Sequence, residues 1–545
     1  MISAGSSKHW KYLWLPVSSI ALFAAAVALE CTARQEPPTT ALLIRNARII
    51  DGTGNPWFRG SIAVEGGRIT AVGPNLELPA GRVIDAGDRV ISPGFIDLHN
   101  HCDTGLFENP DAENFLRQGV TTLIGGPDGE GAADMGAYLA RLDSLKLSLN
   151  VCFTVGHNAV RTKVMGLADR APTPEELAEM KSLVARAMQA GAVGLSTGLE
   201  YVPGVYSTTE EVIELARVSA SYGGFYTSHI RDEELGLLSA VREVIRIAKE
   251  AGTPANITHF KAFGWKMWGK SAEALQLVEQ ARAAGLDVTC DLYPYSAAYT
   301  GLEILFPPWS LAGGRDSLLA RLADQTPRRK IEEALLVKLE QYCYQDDPAQ
   351  IAVARCAFDT ALEGKTLRGI LENRGSPPGL PQTVQLVIEL QQKGGADCIY
   401  HCMSDEDVER IMRHPTSLIA SDGEVIKFGS GVPHPRSYGT FPRVLAEYVR
   451  NRHILSLEEA VRKMTSLPAH RAGLTGRGLI YPGAEADLVL FDPEQVADRS
   501  TFAAPHQYPA GIEMVIVNGE VVFENGSLTG AHPGRILRKS GGGKP

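Results

Sequence analysis

The chain has 545 residues, too many for one simple core, so two or more modules are expected. Its composition, 44% hydrophobic and 21% charged, is that of a soluble globular protein, and a net charge of −10 without a basic patch argues against a nucleic-acid partner. Eight cysteines are too dilute for a disulfide scaffold; Cys102, Cys152, Cys290, Cys356 and Cys398 sit in or beside apolar runs, where a buried free thiol is expected.

At the start, Lys8 and Lys11 precede an apolar stretch from Tyr12 to Leu29 with small-residue triplets such as Ala26-Val27-Ala28 at its end. That is the pattern of a signal peptide. A spanning helix needs about 20 apolar residues, so an uncleaved anchor is the alternative for the same stretch. Cys31 is a candidate for lipidation, although Glu30 before it fits badly. Residues 1–33 are therefore expected to direct export to a periplasmic or extracellular location, with membrane contact only through such an anchor.

Residues 41–92 show short alternating strands split by turns such as Asp51-Gly52-Thr53-Gly54, and similar strands return in 477–535, around Ala486 to Phe491 and Met514 to Phe523. The two pieces are expected to assemble one small β-sandwich from both chain ends. Between them, over 93–476, apolar strands alternate with amphipathic helices, the pattern of an α/β barrel of the (β/α)8 type. Candidate strands are 94–101, 121–126, 149–156, 192–199, 224–230, 255–260, 286–293, 397–402 and 417–422. That is nine for eight places, and 397–402, which follows an unusually long interval, is the odd one. Residues 301–396 read as an insertion over the barrel mouth.

Chemistry in such a barrel gathers at the C-terminal strand ends. The first strand ends in Phe95-Ile96-Asp97-Leu98-His99-Asn100-His101, and alternation puts His99 and His101 on one side, with Asp97 and Asp103 nearby. Later strand ends supply His229, His259 and Asp422. Four histidines and an aspartate at strand ends point to a divalent-metal site. His157 and His434 are candidates to line the pocket or to pack, and His401 and His414 read as structural.

With those residues on the page, the chain resembles the amidohydrolase superfamily and, within it, the N-acyl-D-amino-acid deacylases (D-aminoacylases). The likeness rests on Pro93-Gly94-Phe95-Ile96-Asp97 with His99 and His101, Gly119-Val120-Thr121-Thr122, Gly194 to Tyr201, Ser228-His229-Ile230-Arg231, His259-Phe260-Lys261, Asp291 to Tyr295, Ser421-Asp422-Gly423 and Pro433 to Arg436. It implies a barrel with a β-sandwich, zinc as one or two ions around His99, His101, His229 and His259, and Asp422 as catalytic acid/base. It further implies that Lys261, Tyr293 and Arg436 hold the α-carboxylate of a small-molecule substrate. The implied reaction is hydrolysis of N-acyl-D-amino acids; dipeptides or cyclic amides are the alternative substrates. A binding protein on a degenerate scaffold would lack a ligand or the acid/base, whereas all five residues are present.

Two departures from the family pattern stand out. Where the family resembles itself in a metal-bridging cysteine, this chain has Asp128, in Pro127-Asp128-Gly129. A carboxylate can ligate zinc at about 2.0–2.2 Å but is harder than thiolate, so another divalent metal would also suit the site. Asp128 is the expected bridge, with Glu200 as rival and a plain turn aspartate as the bland reading. Tyr299 stands about where the family often has a small hydroxyl residue, which reshapes the pocket.

Overall fold

A computed structural model describes residues 40–539. Residues 1–33, read from the sequence as a signal peptide or anchor, lie with Cys31 outside the described residues. Among the described residues no helix is long and apolar enough to cross a membrane.

Eight strands run parallel around the centre: β1 (Phe95–Asp97), β2 (Val120–Gly125), β3 (Asn150–Phe153, continued by Val155–Gly156), β4 (Gly194–Gly198), β5 (Phe225–His229), β6 (Ala255–Ile257), β7 (Val288–Leu292) and β8 (Ser417–Ile419). Every residue of these strands is buried, as expected where helices cover one face and packed side chains fill the other. The circle closes beyond the ends of β8 and β1. There Gly423–Glu424 pairs in parallel with Asn100–His101, and the Asp422 N–H donates to the His99 carbonyl at 2.8 Å.

The covering helices are fixed by local chemistry. Pro174–Ala190 starts with a capping box, the Glu176 N–H donating to Thr173 Oγ1 at 3.2 Å and the Thr173 N–H to Glu176 Oε2 at 2.8 Å. Its buried stripe of Met180, Leu183, Val184, Ala187 and Met188 then lies in the main core.

The odd strand of the nine leaves the barrel. Asp397–Tyr400 pairs antiparallel with both Ala298–Gly301 and Ile351–Arg355. This three-stranded sheet and the helices Arg315–Ala323, Gln325–Tyr342 and Leu380–Lys393 share a separate core that includes Leu302, Leu335, Val387 and Cys398. The inserted segment thus takes in the strands on either side of 301–396.

Strands from the two chain ends form one nine-stranded sheet, in which Val90–Pro93 pairs antiparallel with Leu488–Phe491. The sheet runs straight into the barrel: β1 follows Val90–Pro93 after Gly94, whose N–H donates to the Asp487 carbonyl at 2.9 Å. The seven described cysteines are free and buried.

Candidate metal centre and active site

Three residues at the barrel mouth have left-handed backbones: Asp128 (φ 52°), His259 (φ 32°) and Asp422 (φ 54°). Such conformations are uncommon outside glycine and gather at functional sites. Each is held in place. Asp128 lies in the turn closed by the Glu130 N–H donating to the Pro127 carbonyl at 2.8 Å. Close approach of that turn to the end of β4 requires glycine at 198, because a Cβ there would stand 2.1 Å from the Asp128 carbonyl oxygen. The His259 N–H donates to Asp291 Oδ1 at 2.6 Å, and Asp291 also accepts from Asn256 Nδ2 at 2.5 Å.

These turns bring two sets of ligand-type atoms together around Asp128: His99, His101, Asp128 and Asp422 in one and Asp128, His229 and His259 in the other, with Glu200, His229 and Glu233 as a third group beside them, the atoms of each lying within 4.8 Å of one another. In the first, His99 Nε2 is 3.3 Å from both Asp128 Oδ2 and Asp422 Oδ1. His101 Nε2 is 3.7 Å and 3.2 Å from the same two oxygens. In the second, His259 Nε2 is 3.5 Å from Asp128 Oδ2 and 2.9 Å from His229 Nδ1. Two ligand atoms bound at about 2.1 Å to one tetrahedral ion stand about 3.4 Å apart. The observed separations bracket that value. His99 Nε2, which faces Asp128 and Asp422, is buried without a hydrogen-bond partner, as expected of a nitrogen whose partner is an ion.

Charge at the mouth follows the same arrangement. Burial opposes a charge on His99, but Asp128 and Asp422 outweigh it and raise the imidazolium to about 10. Burial would likewise raise Asp422, yet Arg436 and then His99 hold its carboxyl well below the usual range. Asp128 is kept low against burial by His99 and His259.

The other residues singled out from sequence fall differently. Arg436 Nη1 pairs with Asp422 Oδ2 at 2.6 Å, and the guanidinium lies 5.0 Å from the ring of Tyr293 and 5.4 Å from that of Tyr299. Lys261 is paired with Glu233: its Nζ lies 2.7 Å and 2.6 Å from the two carboxylate oxygens, with His259 Nδ1 at 2.7 Å. Asp97 is not in either set: it accepts from the Ser421 N–H at 3.0 Å and from the Ser421 hydroxyl, tying β1 to β8, and burial pushes its carboxyl up to about 7. His157 is fully buried against Glu211 (2.9 Å), and His434 accepts the Arg436 N–H at 3.0 Å while its Nε2 reaches the Ala297 carbonyl. Cys102 is in the core.

Glu233 had no role assigned from sequence, although it follows His229 by four residues. Its Oε1 lies 2.9 Å from His259 Nδ1, a carboxylate behind a ligand-type histidine. Glu200, the rival for the bridging place, reaches His229 Nε2 at 3.1 Å on the ring edge away from Asp128. A cavity of about 910 Å3 opens over both sets, walled on one side by Ile304, Leu305, Phe306, Leu311 and Val337 of the insertion.

The sequence matches the amidohydrolase family over residues 82–523. It is 36% identical over 522 residues to D-aminoacylase of Alcaligenes xylosoxydans xylosoxydans, covering 92% of this chain and 98% of that one. It is also 36% identical over 520 residues to the N-acyl-D-glutamate deacylase of the same organism, covering 91% and 96%. Among solved structures it is similar to N-acyl-D-glutamate deacylase from Bordetella bronchiseptica complexed with zinc and a phosphonate inhibitor. That likeness has a TM-score of 0.79 and 33% identity over 92% of this chain and 100% of that chain.

Proposed function

The chain belongs to the amidohydrolase family, and from that premise we propose that it hydrolyses the amide bond of N-acyl-D-amino acids, releasing a carboxylate and the free D-amino acid. One observation carries the reading: Asp128 Oδ2 lies 3.3 Å from His99 Nε2 and 3.5 Å from His259 Nε2, so one carboxylate oxygen serves both sets of histidines. The relatives named as D-aminoacylase and N-acyl-D-glutamate deacylase support the substrate class. The zinc in the deacylase from Bordetella bronchiseptica supports the metal.

The residues fit zinc. His99, His101 and Asp128 would hold one ion beside Asp422, and Asp128, His229 and His259 a second. When bound, zinc activates a water molecule and polarises the amide carbonyl. The chain's own groups do the rest. Asp422, kept ionised by Arg436, takes a proton from the attacking water and returns it to the departing amine. Arg436, stacked against Tyr293 and Tyr299, presents a planar fork to the substrate's α-carboxylate and so orients the scissile amide.

The test is metal content of the purified protein together with hydrolysis of N-acetyl-D- and N-acetyl-L-methionine. Bound zinc and turnover of the D-enantiomer are expected. No turnover of either enantiomer by metal-loaded protein would overturn the deacylase reading. Export is proposed on the pattern from Lys8 to Leu29, and an intact Met1 on protein recovered outside the cytoplasm would overturn cleavage.

A further inference from the structure

The end of β4 grips His229 from two directions. Tyr201 packs its ring against the imidazole with centroids 4.4 Å apart, and the adjacent Glu200 places Oε2 3.1 Å from Nε2. The other ring nitrogen, Nδ1, faces His259 Nε2 at 2.9 Å, inside the Asp128 set. A neutral imidazole carries one proton. When Nδ1 offers its lone pair to a cation, that proton is on Nε2, where the neighbouring acceptor is Glu200.

Glu200 is itself held from across the cavity. Lys338, on the inserted helix Gln325–Tyr342, lies 3.6 Å from Glu200 Oε1 and pairs closely with Glu234. Tyr342, one turn further along the same helix, donates its hydroxyl to Glu234. The chain of contacts therefore runs from the insertion through Lys338 to Glu200 and then to His229.

Resting on the metal-centre reading above, we propose that Glu200 is a positioning residue that fixes the tautomer and ring plane of His229, and that Lys338 couples the insertion to metal affinity by holding Glu200. Carboxylates behind ligand histidines orient the ring and raise its basicity, and their loss typically costs about 10- to 100-fold in metal affinity. Sequence could propose Glu200 only as a bridging ligand. The geometry assigns it the outer nitrogen of His229, with the bridging place taken by Asp128.

The experiment is zinc titration of the metal-free protein against a chromogenic chelator, for the parent, Glu200→Gln, Glu200→Asp and Lys338→Met, with the melting temperature of each metal-free protein measured alongside. Glu200→Gln is expected to weaken zinc binding about 10- to 100-fold at unchanged stoichiometry and unchanged metal-free melting temperature. Glu200→Asp, which keeps the charge but shortens the reach, falls between it and the parent. Lys338→Met shifts affinity in the same direction by a smaller factor. Unchanged affinity in both Glu200 variants, against a parent that binds zinc, would overturn this inference alone, and unchanged affinity in Lys338→Met would overturn the coupling to the insertion. Loss of a full equivalent of zinc at saturation in Glu200→Gln would make Glu200 a ligand and overturn its positioning role. A parent that takes up no metal would overturn the reading of the site and this inference with it.

Discussion

The two halves of the metal centre are built differently. On the β5 and β6 side, His229 and His259 each place the outer ring nitrogen on a carboxylate, Glu200 at 3.1 Å and Glu233 at 2.9 Å, and each carboxylate is approached by a lysine. On the β1 and β8 side, His101 leans on Glu130, whose side chain is 54% exposed, and His99 has only Asp291 at 3.8 Å. That weakly backed side is where Asp422 and Arg436 meet. One half has its ring nitrogens braced by buried carboxylates, and the other carries the Asp422–Arg436 pair that faces the substrate.

The most damaging change to this division is one that touches both halves. Asp128→Ala removes the shared carboxylate oxygen, and bound metal, measured by elemental analysis, is expected to fall together with activity to background. Asp422→Asn separates the halves instead. Asparagine tolerates the left-handed backbone at this position, so metal is retained while kcat falls by about 10²- to 10⁴-fold, the usual worth of a general acid/base.

The substrate's side chain sharpens the contrast further. Identity of 36% to both D-aminoacylase and N-acyl-D-glutamate deacylase does not separate neutral from acidic substrates. The cavity wall offers a way to separate them: Glu303, Asp397 and Glu424 line it, and Lys338, its cation besides Arg436, is paired with Glu234. N-acetyl-D-leucine is expected to be hydrolysed with a kcat/KM at least about 10-fold above that of N-acetyl-D-glutamate, a difference of roughly 1.4 kcal/mol.

A group remote from both halves acts on stability and leaves the chemistry alone. Lys463 is fully buried, its ammonium donating to the His414 and Ser417 carbonyls at the start of β8, and burial lowers it to about 8 against the partial support of Glu459. Between about 8 and 10.5 the unfolded chain binds more protons than the folded one, so stability rises with pH across that window. The gain is about 3 kcal/mol at most. Chemical denaturation of the parent is expected to show this slope and Lys463→Met to lack it; parallel profiles would remove Lys463 as its source.

Much of the centre was readable because barrel chemistry is written at strand ends. His99, His101, His229, His259 and Asp422 each close an apolar run, and the structure brings them to one mouth. Asp128 was readable only by resemblance, since Pro127-Asp128-Gly129 taken alone is an ordinary turn. What escaped depends on partners that only tertiary packing supplies. The partner of Lys261, Glu233, is not announced by the sequence around either residue, and nothing around Lys338 announces Glu200 or Glu234. The run Asp397–Tyr400 has the apolar character of a barrel strand, and its place was decided by antiparallel partners on both sides, which no short apolar segment encodes.

The junction of Val90–Pro93 with Leu488–Phe491 bears on how the protein is made. A ribosome delivers Val90–Pro93 with one of its neighbours, Thr40–Ile49, already made, whereas the other, Leu488–Phe491, emerges only after the whole barrel and insertion. The sheet that leads into β1 is therefore completed by strands from the two opposite ends of synthesis.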